Sequence, residues 1–270
     1  MADDHLFSLR GRRALVTGAT SGIGQAVALG LAAAGADLVL HHFDSGSEVE
    51  ALIRKLEALG ADVAAVEGDF SNPSATENVA REAQAFGPVD ILILNAALER
   101  RLPWRQIDAR HIERHVATNL VATIQLAQHL IPPMMARGWG RIVALGSIMA
   151  SRPRSETVIY AALKSAQFTA LAALARDTAA HGVTINVVSP GAIRTERNAE
   201  IYASPATLAA INAKIPAGRP GTPEDCVGPL LMLCSQAGAY INGANIPVDG
   251  GWSIGDPPGA LPDTRGPTHR

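Results

Sequence analysis

Aromatic and charged residues are scarce in this 270-residue chain. Aromatics make up 4% and charged residues 18%, whereas 47% of the residues are hydrophobic. The core must therefore be built from aliphatic side chains, which suits a buried parallel sheet covered by helices. The net charge of −2 lacks the basic excess with which proteins bind nucleic acid or an anionic membrane surface. Neither of these partners is predicted, and no metal site is predicted.

Cysteine is almost absent. Cys226 and Cys234 are the two cysteines, and both fall in a predicted helix over residues 223–236. Their helical separation places the Cα atoms ~12 Å apart, which is too far for a disulfide. The first residues lack the apolar core of a signal peptide, and no apolar run approaches the ~20 residues of a membrane span. Free thiols without an export signal predict a reducing, cytoplasmic location.

Short β-branched runs alternate with longer Ala-rich amphipathic stretches, as in repeated βα units. The predicted strands are 14–17, 38–41, 63–67, 91–95, 141–145, 184–188 and 245–248. The predicted helices are 22–34, 47–59, 74–86, 108–131, 158–181 and 223–236, and they close at stop signals such as Gly35, Gly60 and Pro132. This order predicts an α/β fold with one Rossmann-like, doubly wound parallel sheet of about seven strands and helices on both faces.

No linker interrupts the alternation, so residues 11–254 are predicted to form one domain. Residues 1–10 carry little pattern, and residues 255–270 are rich in Pro and Gly with few apolar residues. Both ends are predicted to be mobile. Residues 193–215 are predicted to form a mobile lid over the substrate.

A glycine-rich turn, LVTGATSGIG at residues 15–24, leads from the first predicted strand directly into a helix. Glycines at such a turn let the backbone approach a pyrophosphate, and the amides at the helix N-terminus supply hydrogen-bond donors and partial positive charge. The spacing is G-x-x-x-G-x-G, which departs from the G-x-G-x-x-G dinucleotide fingerprint. The turn predicts a dinucleotide site.

Tyr160 and Lys164 are four residues apart on a predicted helix and therefore share one face. The pKa of a tyrosine, near ~10, must fall by about 3 for the phenol to act as an acid or base near pH 7, which takes about 4 kcal/mol. A lysine charge at ~4 Å, with an effective dielectric constant of ~20, supplies about that much. Ser147 follows a predicted strand, at the sheet edge where functional groups collect.

These features resemble the short-chain dehydrogenase/reductase family, and the resemblance extends over residues 13–251. Residues 17–24 match its T-G-x-x-x-G-x-G cofactor signature, and residues 95–97 resemble its N-A-G motif with Ala97 in place of glycine. Residues 248–251, VDGG, resemble its C-terminal signature. The resemblance implies cofactor contacts from Gly18, Thr20, Ser21, Gly22, Ile23, Gly24, His42, Phe43, Asp69, Phe70, Asn95, Ala96, Ala97, Tyr160, Lys164, Pro190, Gly191, Ile193 and Thr195.

The same resemblance implies the catalytic roles. Ser147 would hold the substrate oxygen, and Tyr160 would be the general acid/base. Lys164 would favour the phenolate and bind the ribose hydroxyls, and Asn119 would complete a proton relay through water. Substrate contacts are expected from Ser147, Met149, Arg154 and Tyr160. The implied reaction is hydride transfer between a nicotinamide and an alcohol or ketone.

Cofactor choice depends on residues at the end of the second strand. By family spacing, His42 stands where NAD-binding members carry an acid, and Phe43 stands where others carry arginine. Asp44 lies close enough to repel a 2′-phosphate, and Ser21 replaces an arginine of NADP-preferring members. The sequence favours NAD weakly, and NADP remains open because a protonated His42 binds phosphate.

The substrate itself stays open. A secondary alcohol of a sugar or polyol is the first interpretation, and reduction of a 3-oxoacyl thioester with NADPH is the alternative. A cofactor-binding regulator without turnover is a third hypothesis, and its expected signature would be the loss of Tyr160 or Lys164. The resemblance also implies a homo-oligomer, either a dimer or a tetramer, assembled through the helices at 108–131 and 158–181.

Overall fold

Seven strands form one parallel sheet in a computed structural model that describes residues 6–254. The order is β3-β2-β1-β4-β5-β6-β7. The strands are β1 (Arg13–Thr17), β2 (Asp37–His42), β3 (Val63–Glu67), β4 (Ile91–Leu94), β5 (Gly140–Leu145), β6 (Val183–Pro190) and β7 (Asn245–Val248). The predicted α/β class and strand number are confirmed.

Helices cover both faces of the sheet. They are α1 (Gly22–Ala33), α2 (Gly46–Glu57), α3 (Pro73–Ala85), α4 (Ala109–Val116), α5 (Ala122–Ala136), α6 (Val158–Thr178), α7 (Ala199–Ala203), α8 (Pro205–Asn212) and α9 (Val227–Cys234). Strand side chains alternate between the faces, so Ala14 and Val16 pack with α1, α2 and α9, whereas Leu15 packs with α3, α5 and α6. The sheet therefore lies between two aliphatic cores.

The chain changes direction across the sheet between β1 and β4. Strands β2 and β3 extend the sheet on one side of β1, and β5 to β7 extend it from β4 on the other. In doubly wound sheets a ligand binds at this switch point, outside the carboxyl ends of the strands. The glycine turn follows β1 and Asn95 follows β4, so both predicted motifs meet there.

The predicted helix over residues 108–131 is wrong in two respects. A π-helical turn, Ala117–Val121, separates α4 from α5, and such turns often mark functional sites. The helix also continues through Pro132 and Pro133 to Ala136, although proline was predicted to end it. Met134 is fully buried, and its packing under β5 holds the last turn despite the missing amide donors.

The N-terminal residues differ from their prediction. Residues 1–5 lie outside the described part of the chain, but residues 6–10 are attached to the domain. Leu9 is 1% exposed and its amide bonds Ala34 O, while Leu6 O accepts from the amide of Ala237. The predicted tail at 255–270 also lies outside the described residues.

Helix α6 with its flanking turns, Ser155–His181, is long and apolar enough to cross a membrane by length and composition. The sequence was predicted to contain no apolar run close to the length of a membrane span, and this helix does not fit that prediction. One such helix is weak evidence for a span, because the core helix of a globular domain passes the same test. Leu171 and Ala175 of α6 pack against the sheet, and Lys164 is buried on the same helix.

Candidate active site

A cavity of about 1170 Å³ extends along the carboxyl edge of the sheet. Its walls come from the segments that follow β1 to β6, which are the segments the sequence motifs occupy. Of the predicted cofactor, catalytic and substrate residues, all line this cavity except Gly24, His42 and Asn119. The structure thus brings most of the predicted residues together around one space. Gly24 and Asn119 lie behind its wall and contact residues that line it, whereas the side chain of His42 lies outside it.

The glycine turn is held in a close-packed arrangement. Gly18 has φ 62°, a left-handed value that favours glycine. A Cβ on Gly24 would stand 2.2 Å from Gly18 O and 2.5 Å from Asn95 Nδ2. Asn95 Nδ2 donates to Thr17 O at 2.9 Å and to Gly18 O at 2.8 Å. Gly24 therefore shapes the turn by packing, and Asn95 fastens the turn to β4.

The N-terminus of α1 fits the pyrophosphate of a dinucleotide. Ser21 precedes the helix without a side-chain cap, and the first turn contains no acidic residue. The helix dipole and its first amides therefore face the cavity without a competing carboxylate from that turn. Together with the glycine cradle, these residues fit a nicotinamide dinucleotide.

Strand alternation decides which residues at the end of β2 reach the cofactor. His41 and Phe43 line the cavity, but His42 points to the other face and is 8% exposed. His41 Nδ1 accepts from Gly18 N at 3.2 Å, Nε2 bonds Gly68 O at 2.9 Å, and the ring stacks on Phe70. Burial lowers the pKa of His41 to about 4, so the ring is neutral near pH 7. His42, which was predicted as a cofactor contact, therefore does not line the cavity.

The far end of this half of the cavity carries Asp69. Its carboxylate accepts from the amide of Ser71 at 2.8 Å and from the Ser71 hydroxyl at 2.7 Å. Asp69 is one of the cofactor contacts that the resemblance implies, and it lines the cavity together with Phe70 and Phe43. Two aromatic rings beside a carboxylate suit the flat adenine of a dinucleotide.

Ser147, Tyr160 and Lys164 meet in the other half of the cavity. Ser147 lies two residues beyond β5, and Tyr160 is the third residue of α6. Lys164 Nζ is 5.6 Å from the centroid of the Tyr160 ring. It donates to Leu145 O at 2.6 Å, so the ammonium is fixed to the end of β5. The three side chains therefore converge as the sequence predicted.

Burial dominates the titration of both central groups. It raises the pKa of Tyr160 above its usual range, with a further rise from the Glu99 carboxylate and a smaller opposing effect from the hydrogen bond to Ser147. It also lowers the pKa of Lys164 to about 8. The sequence argument, in which the lysine charge alone lowers the pKa of the phenol, omitted this desolvation. In the chain without cofactor, Tyr160 is therefore a protonated phenol.

Asn119 sits in the π-helical turn behind the reaction centre and is 1% exposed. Its side chain accepts from Leu98 N at 3.0 Å and donates to Leu98 O at 2.9 Å. Its main-chain carbonyl accepts from Thr123 Oγ1 at 3.2 Å and Gln167 Nε2 at 3.4 Å. Asn119 thus links the loop after β4 to helix α6.

Comparison with known proteins agrees with this geometry. Residues 18–253 match the family model described as Enoyl-(Acyl carrier protein) reductase. An L-rhamnose 1-dehydrogenase (NAD(P)(+)) of a Sphingomonas species is 34% identical over 248 residues, 91% of this chain and 98% of that protein. A 2-dehydro-3-deoxy-D-gluconate 5-dehydrogenase of Pseudoalteromonas atlantica is 36% identical over 250 residues, 91% of this chain and 97% of that protein.

A crystal structure of a 3-oxoacyl (acyl-carrier-protein) reductase from Agrobacterium tumefaciens with NADP bound superposes with a TM-score of 0.89. The sequences are 36% identical, and the match covers 93% of this chain and 97% of that one. The chain belongs to the short-chain dehydrogenase/reductase family. It is an NAD(P)-dependent oxidoreductase that interconverts a secondary alcohol and its ketone.

The substrate end of this short-chain dehydrogenase/reductase is rich in cations. The wall contains six cations and the carboxylates of Glu99 and Glu196. The cations come from the loops after β4 and β5, from α4 and from the segment 193–215, and they are Arg101, Arg114, Arg152, Arg154, Arg197 and Lys214. Arg100 and Glu156, which lie on the same loops, do not line the cavity. Segment 193–215 itself contains α7 and α8, which were not predicted, and its role as a lid stays a prediction.

Sequence reasoning missed several residues of this dehydrogenase/reductase site. His41 supports the glycine turn, and Tyr202 and Trp252 line the substrate end. Gln167 bonds Lys164 from within the same helix. The alternation of β2 could have identified His41, because Phe43, two residues on, shares its face. No sequence signal marked the other three.

Proposed function

We propose that the substrate is a small polyhydroxylated carboxylate, a sugar acid, whose secondary hydroxyl is oxidised. The observation that carries this proposal is the excess of cationic over acidic side chains around the substrate end of the cavity. A positively lined cleft attracts and orients an anion. The name of the Pseudoalteromonas relative denotes activity on such an acid, which supports the same class.

Arg154, which was predicted as a substrate contact, is our candidate for binding the carboxylate. Arg101 pairs with Glu99 at 3.1 Å, and Arg152 Nη1 donates to Trp252 O at 2.6 Å. Among residues 6–254, no ion-pair partner is formed by Arg154. Arg154 lines the cavity, and a guanidinium with free donors binds a carboxylate through two parallel hydrogen bonds.

The chain's own residues handle the proton. Bound nicotinamide supplies the hydride acceptor or donor. Ser147 holds the substrate oxygen, and Tyr160 exchanges a proton with that oxygen. The raised pKa of Tyr160 keeps the proton available for ketone reduction. In the oxidation direction, the ammonium of Lys164, protonated below about pH 8, favours the phenolate that accepts the proton.

The test compares three substrates: a sugar acid, its neutral aldose or polyol counterpart, and a 3-oxoacyl thioester. Turnover is measured by the absorbance of the reduced dinucleotide, which forms when a sugar is oxidised and is consumed when the thioester is reduced. Arg154→Gln should raise KM for the acid about tenfold, the loss of a charge-assisted hydrogen bond, and leave KM for a neutral sugar unchanged. Arg176→Gln, on the exposed side of α6, is the matched control. Preferred turnover of the thioester, or equal KM effects on acid and neutral sugar, would overturn the proposal.

We also propose a preference for NAD over NADP. In the described part of the chain, no lysine or arginine lines the adenine end of the cavity, where Asp69 contributes a carboxylate. His41, the imidazole there, stays neutral near pH 7 because burial lowers its pKa to about 4. A 2′-phosphate would therefore meet no compensating charge. Fluorescence titration with NADH and NADPH tests this, and tighter binding of NADPH would contradict it.

A homo-oligomer is proposed on the basis of α6. Val158 is 41% exposed, and Ile159, Ala162 and Leu174 are exposed or only half-buried on this apolar helix. Packing against a second copy would remove this surface from water. Light scattering should report a dimer or tetramer, and a monomer at micromolar concentration would refute the assembly.

A further inference from the structure

Gln167 makes a set of buried contacts behind the reaction centre. It lies one helical turn after Lys164 on α6 and is 2% exposed. Its Oε1 accepts from Lys164 Nζ at 3.1 Å, and its Nε2 donates to Thr123 Oγ1 at 2.8 Å and to Asn119 O at 3.4 Å. The amide thus spans the path between the lysine and the π-helical turn.

The neighbouring groups determine which way this amide faces. Thr123 Oγ1 donates its proton to Asn119 O at 3.2 Å. The Thr123 hydroxyl oxygen is therefore the acceptor in its bond with Gln167, and Nε2 of Gln167 is the donor. The opposite end of the amide, Oε1, is then left for the ammonium of Lys164. The reverse orientation would place an amino group against a cation and lose the bond to the Asn119 carbonyl.

These contacts also determine where the lysine points. Leu145 O and Gln167 Oε1 each accept one of the three ammonium protons. The third proton remains for the side on which Tyr160 and the cavity lie. Without Gln167, one anchor would remain, and the ammonium would rotate about it.

We propose that Gln167 is a positioning residue that aims the ammonium of Lys164 at Tyr160 and joins it to the Asn119 carbonyl through a side-chain amide. The proposal rests on the assignment of Lys164 to the reaction centre. The resemblance implies a water-mediated relay between Lys164 and Asn119, and here a protein group occupies that path. The amide holds the lysine in place and does not carry its proton onward.

A measurable consequence is the titration of Lys164. Burial already lowers its pKa to about 8, and the acceptor on Gln167 stabilises the charged form. Gln167→Met keeps the length and removes the acceptor, so the pKa of Lys164 should fall by about 1. Gln167→Glu places a carboxylate at the same distance, so the pKa should rise.

The chain has only three lysines, Lys55, Lys164 and Lys214, which makes direct observation practical. We would label lysine Cε with ¹³C, assign Lys164 by its loss in Lys164→Met, and follow the shifts against pH by NMR. The matched control is Gln84→Met on α3, where a half-buried amide bonds Ala80 O far from the site. The readout needs neither substrate nor cofactor.

Opposite movements of the Lys164 titration in Gln167→Met and Gln167→Glu, with Gln84→Met unchanged, would support the proposal. A titration that is unaltered in folded Gln167→Met would overturn it. If Gln167→Glu does not fold, the methionine variant decides alone. Failure of every tested sugar acid to turn over would count against the proposed substrate and leave this result standing.

Discussion

Replacement of Gly24 by alanine tests the close packing of the glycine turn most directly. The added Cβ would lie 2.2 Å from Gly18 O, a main-chain atom, where ordinary contact begins near 3.4 Å. The carbonyl must therefore retreat by about 1 Å. That movement breaks or strains the bond from Asn95 Nδ2, because the same oxygen accepts it at 2.8 Å.

The expected magnitude follows from these contacts. Overpacking of a rigid site costs about 1–3 kcal/mol, and one lost hydrogen bond adds about 1 kcal/mol. The free chain relaxes by moving the turn, but a bound pyrophosphate requires the original turn. A penalty of about 3 kcal/mol on binding corresponds to about 100-fold weaker affinity for dinucleotide.

Titration of reduced dinucleotide fluorescence measures this affinity. Gly228→Ala on α9 is the matched control, because a Cβ there meets nothing within 4 Å and alanine favours a helix. Thermal unfolding of both variants separates loss of binding from loss of fold. An affinity of Gly24→Ala within twofold of the parent would refute the packing argument.

Three further outcomes are expected. Tyr160→Phe should retain dinucleotide binding by fluorescence and lose about 10²–10⁴-fold in turnover; undiminished turnover would remove Tyr160 from the mechanism. Burial lowers the pKa of His41 from 6.5 to about 4, so between these pH values the unfolded chain binds a proton at this residue and the folded chain does not. The free energy of unfolding should therefore decrease by about 3 kcal/mol as the pH falls from 6.5 to about 4. His41→Asn should flatten this dependence and exposed His129→Asn should not; equal slopes in urea titrations would contradict the assignment. Asn119→Asp places a carboxylate against Leu98 O and should lower kcat more than dinucleotide affinity; an effect on affinity alone would contradict its role beside the reaction centre.

The strands were predictable because each is a short aliphatic run that ends at a turn signal. Every predicted strand overlaps an observed one, and only their ends differ, as at β6, which continues to Pro190. The shared face of Tyr160 and Lys164 was predictable from helical spacing, whereas their catalytic assignment depended on the family resemblance. The sequence pattern was sufficient to predict those features that are determined by residues close to each other in the chain.

Features that depend on distant contacts were not predictable. Helix α5 passes Pro132 because Met134 packs under β5, and no local signal records that packing. The π-helical turn around Asn119 depends on bonds to Leu98, which lies 21 residues earlier. The titration of Tyr160 likewise depends on burial by the folded chain.

Asn119 has a consequence for redesign of the substrate loop. Its side chain holds both main-chain polar groups of Leu98, while its carbonyl receives the amide of Gln167. A loop taken from a relative and grafted from residue 99 onward leaves Leu98 in place, so both of its hydrogen bonds to Asn119 are retained. A graft that begins at residue 98 and introduces proline there removes the hydrogen bond to Asn119 Oδ1, because proline has no amide hydrogen. A graft meant to change the substrate should therefore begin at residue 99 and leave Leu98 in place.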